Sequence, residues 1–288
     1  MTDPVHLVVG ADGLVGRMLA AHLADKGLYV VTTTRRRDRT NQTRLFLDLA
    51  DNTATWELPE RVTVAVLCAA LTKIDLCRQD PATTANVNVT GTVALAKNLA
   101  AAGAFVIFLS TNQVFDGSQP QRRPDELPAP ATEYGRQKAE TEKQLLALGR
   151  QVSIVRFTKL LSPDMALFTN WAQALKNGQI IHPFSDMTMA PVPMTFAVEV
   201  LGRIAERRRP GIVQVSADQD ITYEQAARFL AERLNADDKL IQPIRARDSG
   251  GSFESIPRHT TLDTTILRTE LGLEPPNVWT ALTSVLPS

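Results

Sequence analysis

Apolar residues along the chain fall into short runs that alternate with stretches of helical spacing. Val5-His6-Leu7-Val8-Val9 is such a run, closed by a glycine, and reads as a buried parallel strand. Leu14 to Lys26 then places Leu14, Met18, Leu19 and Leu23 on one helical face. Leu28 to Thr33 predicts a second strand, Phe46-Leu47 the end of a third, and Val62 to Leu67 a fourth. Ala82 to Ala102 reads as one long helix, Phe105 to Leu109 as a strand, Glu133 to Leu148 as a helix and Val152 to Arg156 as a sixth strand. The alternation predicts an α/β fold with a doubly wound parallel sheet and right-handed crossovers.

Beyond Arg156 the pattern loosens. Helices are expected over Met165 to Asn177, Phe196 to Arg207, Tyr223 to Leu234, Ile266 to Leu271 and Val278 to Leu286. Extended segments are expected over Gln179 to His182 and Gly211 to Val215. The predicted organisation is a Rossmann domain over residues 1–160, with a segment near 188–215 returning to it. Residues 161–288 then form mainly a smaller α/β substrate domain, with a ligand cleft between the two. The polar, proline-bearing stretch from Gly117 to Thr132 reads as a long loop.

Composition narrows the class. With 31 basic and 31 acidic residues among 288, the net charge is +0, which argues against a nucleic-acid binder. No apolar stretch reaches the roughly 18 residues needed to span a bilayer, and no basic leader precedes the first strand. A cytoplasmic protein is expected. Cys68 and Cys77 make no disulfide framework, and Cys68 in its apolar run is expected in the core. His6, His22, His182 and His259 are scattered, so no metal site is expected.

Gly10-Ala11-Asp12-Gly13-Leu14-Val15-Gly16 joins the first strand to the first helix. Glycines there permit a tight turn and let backbone N–H groups approach a pyrophosphate at the helix N-terminus. The motif carries weight because it sits between a strand and a helix. After the second strand the chain reads Thr32-Thr33-Thr34-Arg35-Arg36-Arg37, with no acid before Asp38. An acid there would read ribose hydroxyls, whereas a basic residue accommodates a 2′-phosphate. NADP(H), held by Arg35 or Arg36, is therefore favoured over NAD(H).

Tyr134 and Lys138 stand at i and i+4 at the start of a helix and share one face. A tyrosine titrates near 10, and a neighbouring ammonium favours its phenolate, so the pair suits proton exchange with a carbonyl or alcohol. Ser110-Thr111-Asn112-Gln113-Val114-Phe115-Asp116-Gly117 follows the fifth strand, at the sheet edge where ligands bind. A hydroxyl there can orient a substrate oxygen towards Tyr134. Read alone, it is equally a turn that ends the strand.

Taken together, these motifs resemble the extended short-chain dehydrogenases/reductases. They include Ala69-Ala70, Asn86-Val87-Asn88-Val89-Thr90-Gly91-Thr92, and Leu262-Asp263-Thr264 with Trp279-x-x-Ala281-Leu282 near the end. Within that superfamily the chain is most similar to the dTDP-4-dehydrorhamnose reductase subgroup. The resemblance implies a keto-reductase acting on a nucleotide-linked sugar, with Thr111, Tyr134 and Lys138 as the catalytic triad. It places Gly10, Gly13, Leu14, Val15 and Gly16, with Asp12 in the same turn, at the pyrophosphate. It places Asp48 and Leu49 at the adenine, and Ala69, Ala70 and Leu71 beside the ribose and nicotinamide. Asn88 matches a structural or active-site asparagine. Tyr134 and Lys138 also face the cofactor. Thr72, Gln113, Lys159, Asn170 and Arg258 are the substrate-side candidates, although Asn170 with Trp171 equally reads as helix packing. A homodimer through the long helices is common in that family.

Two departures bear on the substrate. The subgroup's Asp-Tyr after the threonine is Asn112-Gln113 here, and its aromatic residue after the sixth strand is replaced by Lys159. Both positions face the sugar in the family, so a sugar with different or additional polar groups is expected. Sugar-nucleotide 4,6-dehydratases carry acids where this chain has Asn112 and Gln113. Amides do not exchange protons usefully, which argues against dehydration. An epimerase with retained NAD⁺ remains an alternative. So does a non-catalytic NADP-binding regulatory subunit, the role that a relative of this subgroup plays for methionine adenosyltransferase.

Overall fold

The structure is a computed structural model and describes residues 4–163 and 165–284. In chain order the first elements are β1 (Val5–Val9), α1 (Leu14–Asp25), β2 (Tyr29–Thr34), β3 (Arg44–Phe46) and β4 (Val62–Leu67). Then come α2 (Ile74–Gln79), α3 (Pro81–Ala85), α4 (Thr92–Ala101), β5 (Phe105–Thr111), α5 (Glu133–Leu146) and β6 (Val152–Phe157). They are followed by β7 (Leu160–Leu161), α6 (Ala166–Lys176), β8 (Thr188–Met189), β9 (Val192–Pro193), α7 (Met194–Arg207) and β10 (Gly211–Val215). The chain closes with β11 (Ile221–Thr222), α8 (Tyr223–Leu234), α9 (Thr265–Thr269) and α10 (Val278–Thr283). The end of the last predicted helix, at Val285 and Leu286, lies outside the described residues.

Seven strands form one sheet in the order β3-β2-β1-β4-β5-β6-β10. The pairs β1–β2, β1–β4, β2–β3 and β4–β5 run parallel. Sequence order reverses between β1 and β4, which makes the crevice beyond their carboxyl ends the switch point of a doubly wound sheet. Helices cover such a sheet on both faces, so its strands read as unbroken apolar runs. Leu7, Ala65, Val106 and Ile154 from four strands join Leu95, Leu99 and Leu145 from α4 and α5 in one buried core.

The chain separates into two compact units. The first comprises Met1–Val114, Pro128–Arg156 and Val198–Val213; the second comprises Phe115–Leu127, Phe157–Ala197 and Gln214–Ser288. The segment Phe115–Leu127 therefore departs from the expected grouping. Gly117 explains why: its carbonyl accepts the backbone N–H groups of Arg258 and His259 at 3.1 and 3.0 Å. Its φ of +74° and the close approach of Pro257, 2.6 Å from where a Cβ would stand, require glycine.

The second unit has short strands only. β7 pairs with β9 in parallel and β8 with β11 antiparallel, two residues to each strand. Its apolar clusters gather Phe168, Met189, Ile221 and Val278 on one side, and Leu175, Ile181, Leu230 and Ile241 on the other. Helix α8 starts with a capping box between Thr222 and Gln225 and ends on Asn235 in the left-handed region.

Two sequence expectations change here. Gln179–His182 forms no strand; Ile181 makes a single bridge to Ile241. The long helix expected over 82–102 is split into α3, a wide π-turn over Asn86–Gly91, and α4. The wide turn lets the backbone of Gly91 pass the Leu49 carbonyl so closely that a Cβ would stand 1.8 Å from it. The short helix α2 was not anticipated, because Asp75, Arg78 and Gln79 break its apolar period. Among the described residues no helix is long and apolar enough to cross a membrane.

Candidate active site

The glycine turn is shaped by its neighbours. Gly10 has φ +88°, and a Cβ on it would meet Ala69 at 2.7 Å. A Cβ on Gly16 would stand 2.5 Å from the Gly10 carbonyl, so that glycine lets α1 lie against the turn. The N-terminus of α1 carries no side-chain cap and no acid in its first turn, which leaves its field open to an anion. The last residues of β2 hold the turn in place. The Thr33 hydroxyl accepts the Gly10 N–H at 3.0 Å, and the Thr33 carbonyl accepts the Ala11 N–H at 3.2 Å.

A cavity of about 270 Å³ opens at this switch point. Gly10, Asp12, Gly13 and Arg35 line it, with Asp48 and Leu49 after β3 and Ala69, Ala70 and Leu71 after β4. Leu14, Val15 and Gly16 continue into α1 from that turn. Thr33, Thr34, Leu47, Cys68 and Val87 also line the cavity, although the sequence reading had not singled them out for it. Cys68 thus borders the cavity rather than filling the core; Cys77 is the buried cysteine. The signal available for Thr33 and Thr34 was their position at the end of a strand that precedes a basic run.

The basic run divides its work. Arg35 and Arg36 are exposed, with the Arg36 N–H on the Thr34 hydroxyl at 3.0 Å. The Arg37 guanidinium lies 3.7 Å above the centre of the Phe46 ring. Arg44, which the sequence reading passed over, forms an ion pair with Asp12. Asp12 also accepts the Thr34 hydroxyl at 2.7 Å. Partial burial raises the Asp12 pKa, but the Thr34 and Arg44 contacts outweigh it and hold the carboxyl below its usual value.

Asn88 joins the cavity wall to the helix that carries Tyr134. Its amide oxygen accepts the Leu71 N–H at 2.8 Å, and its NH₂ donates to the Leu71 carbonyl at 2.9 Å and to Gln137 Oε1 at 2.8 Å. Thr72 is exposed at the end of the same wall.

Thr111 ends β5 and is buried; its hydroxyl oxygen accepts the Gln113 N–H at 3.2 Å. The Thr132 side chain caps α5 through the Gly135 N–H and donates to Gln113 Oε1 at 3.2 Å. Gln113 thus ties the end of β5 to the start of α5, and its oxygen already has a partner. Lys138 Nζ donates to the Leu109 carbonyl at 2.8 Å and lies 5.9 Å from the centre of the Tyr134 ring. Burial lowers Lys138 to about 8, against a raising effect of Glu142. Burial raises the Tyr134 phenol above the ordinary tyrosine value, with Cys77 adding to it.

A buried ionic group joins β5, α5 and β6. Arg156 donates to both oxygens of Glu142, at 3.1 Å and 3.2 Å from Nε and at 2.7 Å from Nη2, and Ser110 donates to the same carboxylate. Both ionised side chains are 2% exposed.

The remaining substrate-side candidates lie in the second unit. Lys159 Nζ stands 5.4 Å from the centre of the Tyr223 ring. Asn170 is exposed on α6, and its neighbour Trp171 packs edge-on against Phe168 at 5.8 Å. Arg258 is exposed, with its N–H held by Gly117. No group of three or more His, Cys, Asp or Glu among the described residues is arranged to hold a metal ion.

A seven-stranded sheet in this order, with the glycine turn at its switch point and a Tyr-x-x-x-Lys helix after β5, defines an extended short-chain dehydrogenase/reductase fold. More narrowly, the chain belongs to the RmlD substrate binding domain family, whose sequence profile matches residues 5–288. It is 28% identical over 282 residues to methionine adenosyltransferase 2 subunit beta of Pongo abelii, covering 93% of this chain and 82% of that protein. It is 29% identical over 243 residues to dTDP-4-dehydrorhamnose reductase of Mycolicibacterium smegmatis, covering 82% and 71% of the two chains. The crystal structure of dTDP-4-dehydrorhamnose reductase from Bacillus anthracis in complex with NADP shares the fold, with a TM-score of 0.87, 19% identity and 99% of each chain covered.

Proposed function

We propose that this protein is an NADPH-dependent reductase of a keto group on a nucleotide-linked sugar. The observation that carries this reading is the buried Tyr134 on the same helix face as Lys138, whose Nζ lies 5.9 Å from the centre of the Tyr134 ring and donates to the Leu109 carbonyl of β5. The cradle at Gly10 and Gly16, where side chains would collide with backbone, fits a pyrophosphate. Gly13 and the N-terminus of α1 would hold it, Asp48 and Leu49 would border the adenine, and Arg35 and Arg36 would meet a 2′-phosphate. When bound, a reduced nicotinamide supplies the hydride. Tyr134 donates the proton to the substrate oxygen, Thr111 orients that oxygen, and Lys138 holds a positive charge beside the phenol. Gln113, Lys159, Asn170, Arg258 and Thr72 are assigned to substrate recognition, each to be tested through KM.

The test is NADPH oxidation with a panel of dTDP-, UDP- and GDP-linked keto-sugars, for the wild type and for Tyr134→Phe. Turnover of one class that Tyr134→Phe abolishes supports the reading. No turnover of any, with NADPH binding intact, favours a second reading: a non-catalytic NADP-binding subunit. That alternative is favoured by the identity with methionine adenosyltransferase 2 subunit beta, which spans 93% of this chain.

A further inference from the structure

Asp12 lines the cavity and is paired with Arg44, a contact that the glycine-turn motif does not require. Asp12 is the third residue of the turn, and Arg44 opens β3, two strands away from β1 in the sheet. In the sheet register Thr32 faces Arg44 and Thr34 faces Phe46. One Asp12 oxygen takes Arg44 and the other takes the Thr34 hydroxyl, so the ion pair lies across the end of β2. Both side chains keep 30% exposure. The Arg44 Nε is buried and has no hydrogen-bond partner. Arg37 is occupied on Phe46, while Arg35 and Asp12 both line the cavity.

Resting on the dinucleotide reading above, we propose that Arg44 selects a 2′-phosphorylated cofactor, and that Asp12 holds its guanidinium until the phosphate replaces the carboxylate. A partly exposed ion pair contributes little, so exchanging one acceptor for another costs little. A phosphate brings more charge than a carboxylate and three acceptor oxygens, which match the guanidinium fork. A cofactor without the 2′-phosphate offers only a hydroxyl there, and Arg44 stays on Asp12. Asp12 is then a built-in competitor that tempers the affinity for the phosphate, because its carboxylate must release Arg44 before the phosphate can take it.

The test is equilibrium titration of NADPH and of NADH on the wild type, Arg44→Leu, Arg44→Lys, Asp12→Asn and the double variant Asp12→Asn/Arg44→Leu. Arg44→Leu should weaken NADPH roughly tenfold or more, the usual scale of a lost charge-assisted contact, and leave NADH nearly unchanged. It should also flatten the salt dependence of NADPH binding. Arg44→Lys should fall between, because the charge remains while the fork is lost. Asp12→Asn should tighten NADPH, and in the double variant it should recover part of the loss. Should Arg44→Leu fail to fold, Arg44→Lys and Asp12→Asn carry the test. Equal weakening of both nucleotides, or NADPH affinity indifferent to Arg44, overturns the proposal alone. Wild type that binds neither nucleotide overturns the underlying reading as well.

Discussion

The two units are built by different means. The first is a sheet of parallel strands, where backbone ladders and continuous apolar runs set the geometry and a buried Glu142–Arg156 pair joins α5 to β6. The second is stitched by side chains to backbone. The Asp220 carboxylate accepts the N–H groups and hydroxyls of both Thr260 and Thr261 at 2.7 to 3.0 Å. Asp218 accepts the Val278 N–H, and Asp186 the Ala246 N–H, at 2.9 and 2.8 Å. A ladder fixes many positions at once, whereas each of these carboxylates fixes one loop. The first arrangement suits chemistry that needs rigid placement, and the second suits surfaces that vary.

The largest effect should come from the rigid side. Tyr134→Phe removes the proposed proton donor and should lower turnover by roughly 10²–10⁴-fold while NADPH still binds. The pH profile sharpens the assignment. Lys138, lowered by burial to about 8, loses its charge as pH rises through that value. Tyr134, raised by burial, stays protonated across the same range. The value of kcat/KM should therefore fall on the alkaline side near 8, and Lys138→Arg should move that fall upwards. A profile flat well above that value would detach Lys138 from the chemistry.

Next is the buried pair that joins α5 to β6. Glu142→Gln leaves Arg156 charged and buried, which should cost about 3–5 kcal/mol in denaturant unfolding. Replacing both, as Glu142→Leu with Arg156→Met, should cost far less, since no uncompensated charge remains. Equal losses for the single and double variants would mean that packing, not charge, is what the pair supplies.

This contrast also explains what could be read from the sequence. Continuous apolar runs made β1, β4, β5 and β6 legible, and the glycine turn with Tyr134 and Lys138 followed from their places between them. Side-chain partnerships across long separations left no periodic trace. Arg44 lies 32 residues from Asp12, and Gln137 lies 49 from Asn88. The π-turn was hidden because its cause, the Leu49 carbonyl against Gly91, is a contact between segments 42 residues apart rather than a local preference. In the second unit, strands two residues long fall below any alternation that a sequence can display. The depth at which Tyr134 is buried left no trace for a related reason: the i, i+4 lysine is visible in the sequence, whereas burial is not.

Asn88 tests the join between cavity wall and catalytic helix. Asn88→Ala leaves the Leu71 N–H without its partner and its carbonyl with the Cys77 thiol alone, which should cost about 1–3 kcal/mol of stability. Because Leu71 lines the cavity, NADPH affinity should fall as well. A loss of stability with unaltered affinity would make Asn88 a purely structural residue.

The smallest effect is expected where the loops of the second unit are stitched. Asp220→Asn keeps the shape but loses the charge and one acceptor oxygen. The Thr260 and Thr261 N–H groups both bond Oδ1, which asparagine keeps, and the Thr261 hydroxyl on the other oxygen can rotate. The loss is mainly that of the charge on these bonds and should amount to about 1 kcal/mol. Asp220 belongs to the second unit, and the cavity lining lies in the first. NADPH affinity measured on Asp220→Asn should therefore match the wild type, while thermal unfolding shifts slightly downwards. If affinity falls with stability, the carboxylate stitches do more than hold their own loops, and the division of labour drawn between ladder and stitch would not hold.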